Sequence, residues 1–280
     1  MQRIFVGDVQ GCADELRDLI ARARSDFGRE FELWLVGDIV NRGPDNVGVL
    51  RQVRELRDAG RARVVLGNHE LSLLRVAFGQ RSLAEDDTFQ QVLEASDASD
   101  WLEWLRTLPV VETGRIGKQD FALVHASVAP GWSLTELGAR ARRVEEGLRE
   151  SRRDAKRLLA MKPGDDPDAD VLARLTRTRS VDARGRWSSR EPASPDDAWH
   201  RRWAANDPGY GVVYGHWATQ GLHVARNLRG LDTGCVYHGA FGERFLTAWL
   251  PTDDGKQPFA VPDARFWRIA AHARRRNAKS

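Results

Sequence analysis

Five stretches of this chain end in residues that can hold a metal ion: Gly7-Asp8, Gly37-Asp38, Gly67-Asn68-His69-Glu70, His125 and Gly215-His216. Each follows a short apolar run of strand type. One such ending alone is an ordinary turn or helix cap, and a lone His125 or His216 fits a hydrogen-bonded core histidine. Together they supply Asp, Asp, Asn, His and His, a mixed oxygen and nitrogen set that suits Mn, Fe, Co, Ni or Zn better than a calcium site. The constellation points to metal-assisted chemistry.

The elements that must position these residues follow a repeating pattern. Residues 3–6 form a strand-like run that leads into Gly7-Asp8, and a helical stretch over 13–24 follows with Leu16, Leu19, Ile20 and Ala23 on one face. Residues 33–36 lead into Gly37-Asp38, a Gly-Pro loop and a helical stretch through Val47, Leu50, Val53 and Leu56; residues 63–66 lead into Gly67-Asn68. Ligands of open α/β sheets lie outside the carboxyl ends of the strands, so Asp8, Asp38 and Asn68 are expected at one edge.

Further along, residues 69–108 read as helices, with Trp101, Leu102 and Leu105 on one face and Pro109 as a stop. Residues 121–124 form a buried-type strand ending at His125. A long, Arg-rich amphipathic segment over 134–159 follows, then loops by composition over 163–170 and 182–197. These delimit an insertion of about 134–200 within one domain spanning 1–280. Residues 212–214 lead into Gly215-His216, and short runs at 222–225, 231 and 245–250 suggest an antiparallel meander. Residues 266–279 read as a basic, helix-like stretch within a tail of about 263–280.

Composition bounds the function. The 280 residues are 41% hydrophobic with 10 Trp, enough for a sizeable core. Lys and Arg number 43 against 40 Asp and Glu, so the formal charge is only +3, and nucleic acid is permitted as a partner without being demanded. No apolar run approaches the ~20 residues of a membrane span. Two cysteines, Cys12 and Cys235, are too few for a disulfide scaffold and are expected as ordinary reduced thiols. With no leader-like segment before the first strand, the expected address is the cytoplasm.

The ordered motifs Gly7-Asp8-Val9-Gln10-Gly11, Gly37-Asp38-Ile39-Val40-Asn41-Arg42-Gly43, Gly67-Asn68-His69-Glu70, His125-Ala126-Ser127 and Gly215-His216 resemble the phosphoprotein-phosphatase group of metallophosphoesterases. Within it, residues 37–44, Thr176-Arg177-Thr178-Arg179, Gly215-His216-Trp217-Ala218 and Leu231-Asp232-Thr233-Gly234-Cys235 are most similar to the bacterial symmetrical diadenosine tetraphosphatases. The likeness runs from residue 2 to about 250. It implies an α/β fold of four layers, a central β-sandwich flanked by helices, with a dimetal site at the carboxyl ends of the strands.

The resemblance also implies roles. Asp8, Gln10 and Asp38 would hold a first metal, Asp38 would bridge, and Asn68, His125 and His216 would hold the second, with Mn²⁺ expected and Co²⁺, Fe, Ni, Zn or Mg²⁺ as alternatives. Two ions ~3.5 to 4 Å apart share a carboxylate, acidify a water and clamp a phosphoryl oxygen. His69 would be the general acid and Asn41 its hydrogen-bond partner. Arg42, Arg177 and Arg179 would bind phosphate through planar forks, and Trp217 and Tyr237 would offer stacking surfaces for a base.

Two residues depart from the group's usual pattern. Gln10 stands where a His is usual and offers only a neutral amide oxygen. Asn41 stands where protein phosphatases carry an Asp and cannot stabilise imidazolium by charge. The expected reaction is hydrolysis of diadenosine tetraphosphate to two ADP, with other dinucleoside polyphosphates or nucleotide-capped RNA ends as related substrates. The alternatives are a Ser/Thr or Tyr phosphatase acting on phosphoproteins, and an inactive phosphate-binding or nucleic-acid-binding module using its Arg-rich helix.

Overall fold

A computed structural model describes residues 1–239, 242–252, 258–260 and 265–272. The chain opens as β1 (Gln2–Val6), α1 (Ala13–Phe27), β2 (Phe31–Leu35), α2 (Asn46–Asp58), β3 (Ala62–Val64) and α3 (Asn68–Ala77). The three strands are parallel neighbours, with Ile4 beside Leu33 and Leu33 beside Ala62. All five residues of β2 are buried, as expected of an inner parallel strand covered on both faces. Helix α1 buries the expected Leu16, Leu19, Ile20 and Ala23. The strands' shared direction therefore carries Asp8, Asp38 and Asn68 to one sheet edge.

Two short helices follow, α4 (Gln90–Leu93) and α5 (Ala98–Arg106), the latter burying Trp101, Trp104 and Leu105. A hairpin of β4 (Val111–Ile116) and β5 (Gln119–Val124) then leads to His125. The segment read as one amphipathic helix is two, α6 (Leu134–Arg149) and α7 (Arg152–Ala160). Ser151 adopts an extended conformation between them and caps α7, its hydroxyl accepting from Asp154 N at 3.1 Å. The expected loop at 163–170 is also corrected, because α8 (Pro167–Arg177) begins within it. Asp166 caps that helix and Pro167 occupies its first turn, where a proline costs no hydrogen bond.

The remaining elements are β6 (Ser180–Val181), β7 (Trp187–Ser188), α9 (Trp199–Ala204), β8 (Gly211–Tyr214), β9 (His223–Ala225), β10 (Leu228–Gly230), β11 (Phe245–Trp249) and β12 (Phe266–Ala270). One five-stranded sheet runs β12-β11-β1-β2-β3 and the other β4-β5-β8-β10-β9. The expected meander is corrected: β10 lies parallel to β8, and β11 crosses to the other sheet beside β1. Residues 266–270 are a strand paired with β11 rather than helix, and residues 273–280 of the expected tail lie outside the described residues.

The two sheets face one another across an aromatic layer. Phe5 of one sheet meets Phe121 of the other edge-on at 5.2 Å, and Trp34 lies 5.3 Å from the same ring. Such pairs contribute ~0.5–1.5 kcal/mol beyond their buried area. Arg229, fully buried, donates to the carbonyls of Ala225, Leu228, Pro258 and Ala260 and lies over Trp249. Among the described residues no helix is long and apolar enough to cross a membrane.

Candidate metal centre and substrate cavity

The loops after the strands are strained in a pattern that marks the site. Of the seven described non-glycine residues with positive φ, five are Gln10, Asp38, Asn41, Arg42 and His216, and such conformations persist only where surrounding bonds over-determine them. Glu70 supplies part of that constraint. Buried within α3, its carboxylate accepts from the backbone N–H groups of Asp38, Ile39, Val40 and Gly67 at 2.8–3.2 Å. The loop carrying Asp38 is thus bound to the helix carrying Asn68 and His69. Close approach demands glycine twice: a Cβ at Gly67 would lie 2.1 Å from Asp38 Oδ1, and one at Gly215 would lie 2.0 Å from Asp8 Oδ1.

Asp38, His125 and His216 each offer a ligand atom, all within 4.8 Å of one another. His125 donates from Nδ1 to the Val36 carbonyl at 2.9 Å, which leaves the Nε2 lone pair pointing inward. That nitrogen lies 3.2 Å from Asp38 Oδ2 and 3.1 Å from Asn68 Oδ1. Three acceptors that face one another need a shared cation or a proton. His216 donates from Nε2 to the Arg177 carbonyl at 3.1 Å, so Nδ1 is the free donor atom. The donor set and its geometry fit a divalent ion bound by imidazole and oxygen.

Charge supports the same fit. Burial, then Asp232 and Asp38, push the Asp8 carboxyl well above the usual carboxylate range. Asp232, also buried, is pushed up to about 6 and Glu70 to about 7, each first by burial and then by neighbouring Asp38 against its backbone donors. Burial opposes ionisation of Asp38, but facing His125 and His69 outweigh it and hold that carboxyl low. The same pairing raises His125 against its burial. Burial, followed by His125 and Arg179, drives His216 well below the ordinary histidine value, so its ring is neutral and ready to ligate. Buried acids repelling one another form a place where positive charge is stabilised. Asp8 accepts from His216 N at 3.1 Å, and the Gln10 amide nitrogen lies 3.4 Å from His69 Nε2. The Asp8–Gln10 side is accordingly the sparser half of the centre.

His69 caps the arrangement. Its backbone N–H donates to Asp38 Oδ1 at 2.8 Å, its Nε2 lies 3.6 Å from Asp38 Oδ2, and its Nδ1 lies 2.7 Å from Asn41 Nδ2. Burial lowers the His69 pKa, and nearby Arg42 and His125 add to the effect against the pull of Asp38.

A cavity of about 430 Å³ opens over this centre. Gln10, Asp38, Asn68, His69 and His216 line it, together with Arg179, Arg244, Glu191 and Tyr237. Asp232 lines it as well, and sequence reasoning assigned no role to it, to Glu191 or to Arg244. The structure does not bring all the expected substrate contacts here. The Arg177 side chain lines a separate cavity beside Arg75, and only its carbonyl reaches His216. Trp217 is buried against His200 and donates to Glu191 at 2.8 Å, so it offers no open face to a base. Arg42 pairs with Asp86 and lies 3.9 Å from Asp87. Cys12 and Cys235 are buried and grouped with Glu15.

A model of the calcineurin-like phosphoesterase family matches residues 1–241. A symmetrical bis(5'-nucleosyl)-tetraphosphatase of Methylococcus capsulatus is 38% identical over 275 residues, covering 92% of this chain and 94% of the relative. One from Aromatoleum aromaticum is 39% identical over 253 residues, 83% of this chain and 89% of the relative. The crystal structure of a candidate diadenosine tetraphosphatase superposes with a TM-score of 0.62 at 24% identity, over 97% of this chain and 94% of that one, a likeness of fold.

Proposed function

The chain belongs to the calcineurin-like phosphoesterases, and from that premise we propose that it hydrolyses diadenosine tetraphosphate symmetrically, to two ADP. The observation that carries the reading is one cavity in which Asp38, Asn68 and His216 share walls with Arg179, Arg244 and Tyr237. The first group suits metal ions and the second suits a polyphosphate with a base attached. The names of the relatives, tetraphosphatases over nearly their whole length, support the substrate class.

In this proposal Asn68, His125 and His216 would hold one divalent ion and Asp8 and Gln10 the other, with Asp38 contributing to the centre and manganese as the expected ion. When bound, the pair supplies an acidified water and positive charge for the phosphoryl oxygens. The chain's own residues do the rest. Glu70 keeps Asp38 in register by holding its loop, and Val36 and Arg177 keep the two histidine rings turned inward. Arg179 and Arg244 bind phosphate oxygens, and Tyr237 gives a ring face to a base. His69 donates a hydrogen bond from Nε2 to the oxygen of the departing ADP.

The protein-phosphatase alternative is disfavoured by Asn41, which donates to the His69 ring and provides no carboxylate to stabilise imidazolium. A cytoplasmic address is part of the proposal, on the low usage of cysteine, two in 280 residues. The test is turnover of diadenosine tetraphosphate beside a phosphopeptide and p-nitrophenyl phosphate, with Mn²⁺, Co²⁺ and Mg²⁺ in turn. A kcat/KM for the dinucleotide far above those of the monoesters is expected, and a faster phosphopeptide overturns the substrate.

A further inference from the structure

Asp87 lies 46 residues beyond Asn41, outside every motif singled out in the sequence, yet its carboxylate is buried against the active-site loop. Its Oδ1 accepts from Asn41 Nδ2 at 2.9 Å, and its Oδ2 accepts from Ala84 N at 2.8 Å and from Arg81. The Asn41 side-chain oxygen is filled from elsewhere, accepting from Arg42 N at 2.9 Å and Thr88 N at 3.0 Å. These partners leave the amide a single orientation: two backbone donors need its oxygen and a carboxylate needs its nitrogen. Its second N–H then falls on His69 Nδ1, 2.7 Å away. A ring nitrogen that accepts carries no hydrogen, so the hydrogen of the ring sits on Nε2, on the side of Asp38 Oδ2 at 3.6 Å, and the Gln10 amide 3.4 Å from that nitrogen has to turn its oxygen to the ring.

We propose that Asp87 is a positioning and specificity-determining residue: by fixing the direction of the Asn41 amide it holds His69 as an Nε2–H donor, and so restricts the enzyme to leaving groups that depart as anions. The inference rests on the phosphoanhydride reading for its natural substrate. Water attack forms one P–O bond and breaks the bridging P–O bond; the electron pair leaves on a phosphate oxygen of ADP, and the proton lost by water passes to solvent. A phosphate oxygen is stable as an anion and needs only a hydrogen bond. The alkoxide of a serine or threonine needs a proton at the moment of departure, which a ring held in this way does not give. Asn41 and Arg42 both sit at positive φ, at 83° and 63°, so their loop relies on such side-chain bonds to hold its shape.

The experiment uses a series of substituted phenyl phosphates, from p-nitrophenyl to phenyl phosphate, with the metal-loaded full chain. Wild type is expected to slow steeply as the leaving group becomes more basic. Asp87→Asn sets two amide donors against each other and is expected to lower kcat about 10- to 100-fold with little change in KM. The exchange Asn41→Asp with Asp87→Asn restores a donor–acceptor pair but reverses the bond to His69. It is expected to recover folding and to flatten the leaving-group dependence. An exchange variant with the wild-type slope, or an Asp87→Asn enzyme with wild-type kcat, overturns the proposal. Nitrogen NMR of the histidine rings in the magnesium-loaded wild type is independent of any variant: hydrogen on Nε2 of His69 is expected, and hydrogen on Nδ1 overturns it. Wild type that spares diadenosine tetraphosphate but keeps the steep aryl series refutes the substrate and leaves the Asp87 assignment standing.

Discussion

His125 Nε2 lies 3.2 Å from Oδ2 of the cavity-lining Asp38, and the hydrogen of the imidazole is committed to the Val36 carbonyl on the opposite side of the ring. Two lone pairs at that distance require a cation between them or a second proton on the ring. The proposed enzyme follows from filling that position with metal.

Removing either partner should remove the ion. His125→Ala and Asp38→Asn are each expected to lower kcat at least ~100-fold, the scale of losing a preorganised electrostatic contact, and to reduce bound metal. Metal analysis of the purified variants beside steady-state rates checks this, and full metal content in both variants would refute the assignment.

Metal affinity should rise with pH. Asp232 is held at about 6, and Asp8 and His125 are also raised, so below pH ~6 the empty site carries protons that a cation must displace. His216, which burial holds well below the ordinary histidine value, adds no opposing requirement. Calorimetric titration with Mn²⁺ is expected to show tighter binding at pH 7 than at pH 5, with proton release that depends on the buffer's ionisation enthalpy. Equal affinity at both values contradicts the account.

Glu70 should matter for stability as well as rate. Glu70→Gln puts an amide donor among four backbone donors, and one unmet buried donor costs ~1–3 kcal/mol. Denaturant unfolding is expected to show a loss of that size, with activity falling because Asp38 is no longer held. Unchanged stability would mean that the loop is fixed by other contacts.

Arg179 should act on substrate rather than on metal. Arg179→Ala is expected to raise KM for the dinucleotide about tenfold, a loss of ~1.4 kcal/mol in binding, while the bound metal stays unchanged. A matching loss in Arg177→Ala is not expected, because that side chain lines a different cavity. Rates of the two variants side by side decide the point.

The grouping of Asp38, Asn68, His125 and His216 was legible in the sequence because parallel strands place their carboxyl ends together, and a polar residue after each apolar run is visible without coordinates. Arg177 and Trp217 were not separable from Arg179 and Tyr237 in this way. For the two arginines the difference depends on the end of α8, which begins in a stretch whose composition reads as loop, and for Trp217 on its packing against His200. Asp87 left no signal in the sequence, since its partner Asn41 lies on a distant loop and meets it only when residues 84–88 fold onto residues 41–46. The strained backbone at Gln10, Asp38, Asn41, Arg42 and His216 was equally hidden, because tertiary bonds and not residue type impose it. The course of β10 and β11 was missed because three- and five-residue strands show alternation but not which sheet they join.

The most direct measurement of the central claim is the identity of the nucleotides released from diadenosine tetraphosphate by the manganese-loaded protein, resolved by chromatography at early times. The account predicts ADP alone, with none formed by His125→Ala. Equal amounts of AMP and ATP, or an untouched dinucleotide beside a rapidly hydrolysed phosphopeptide, would contradict it.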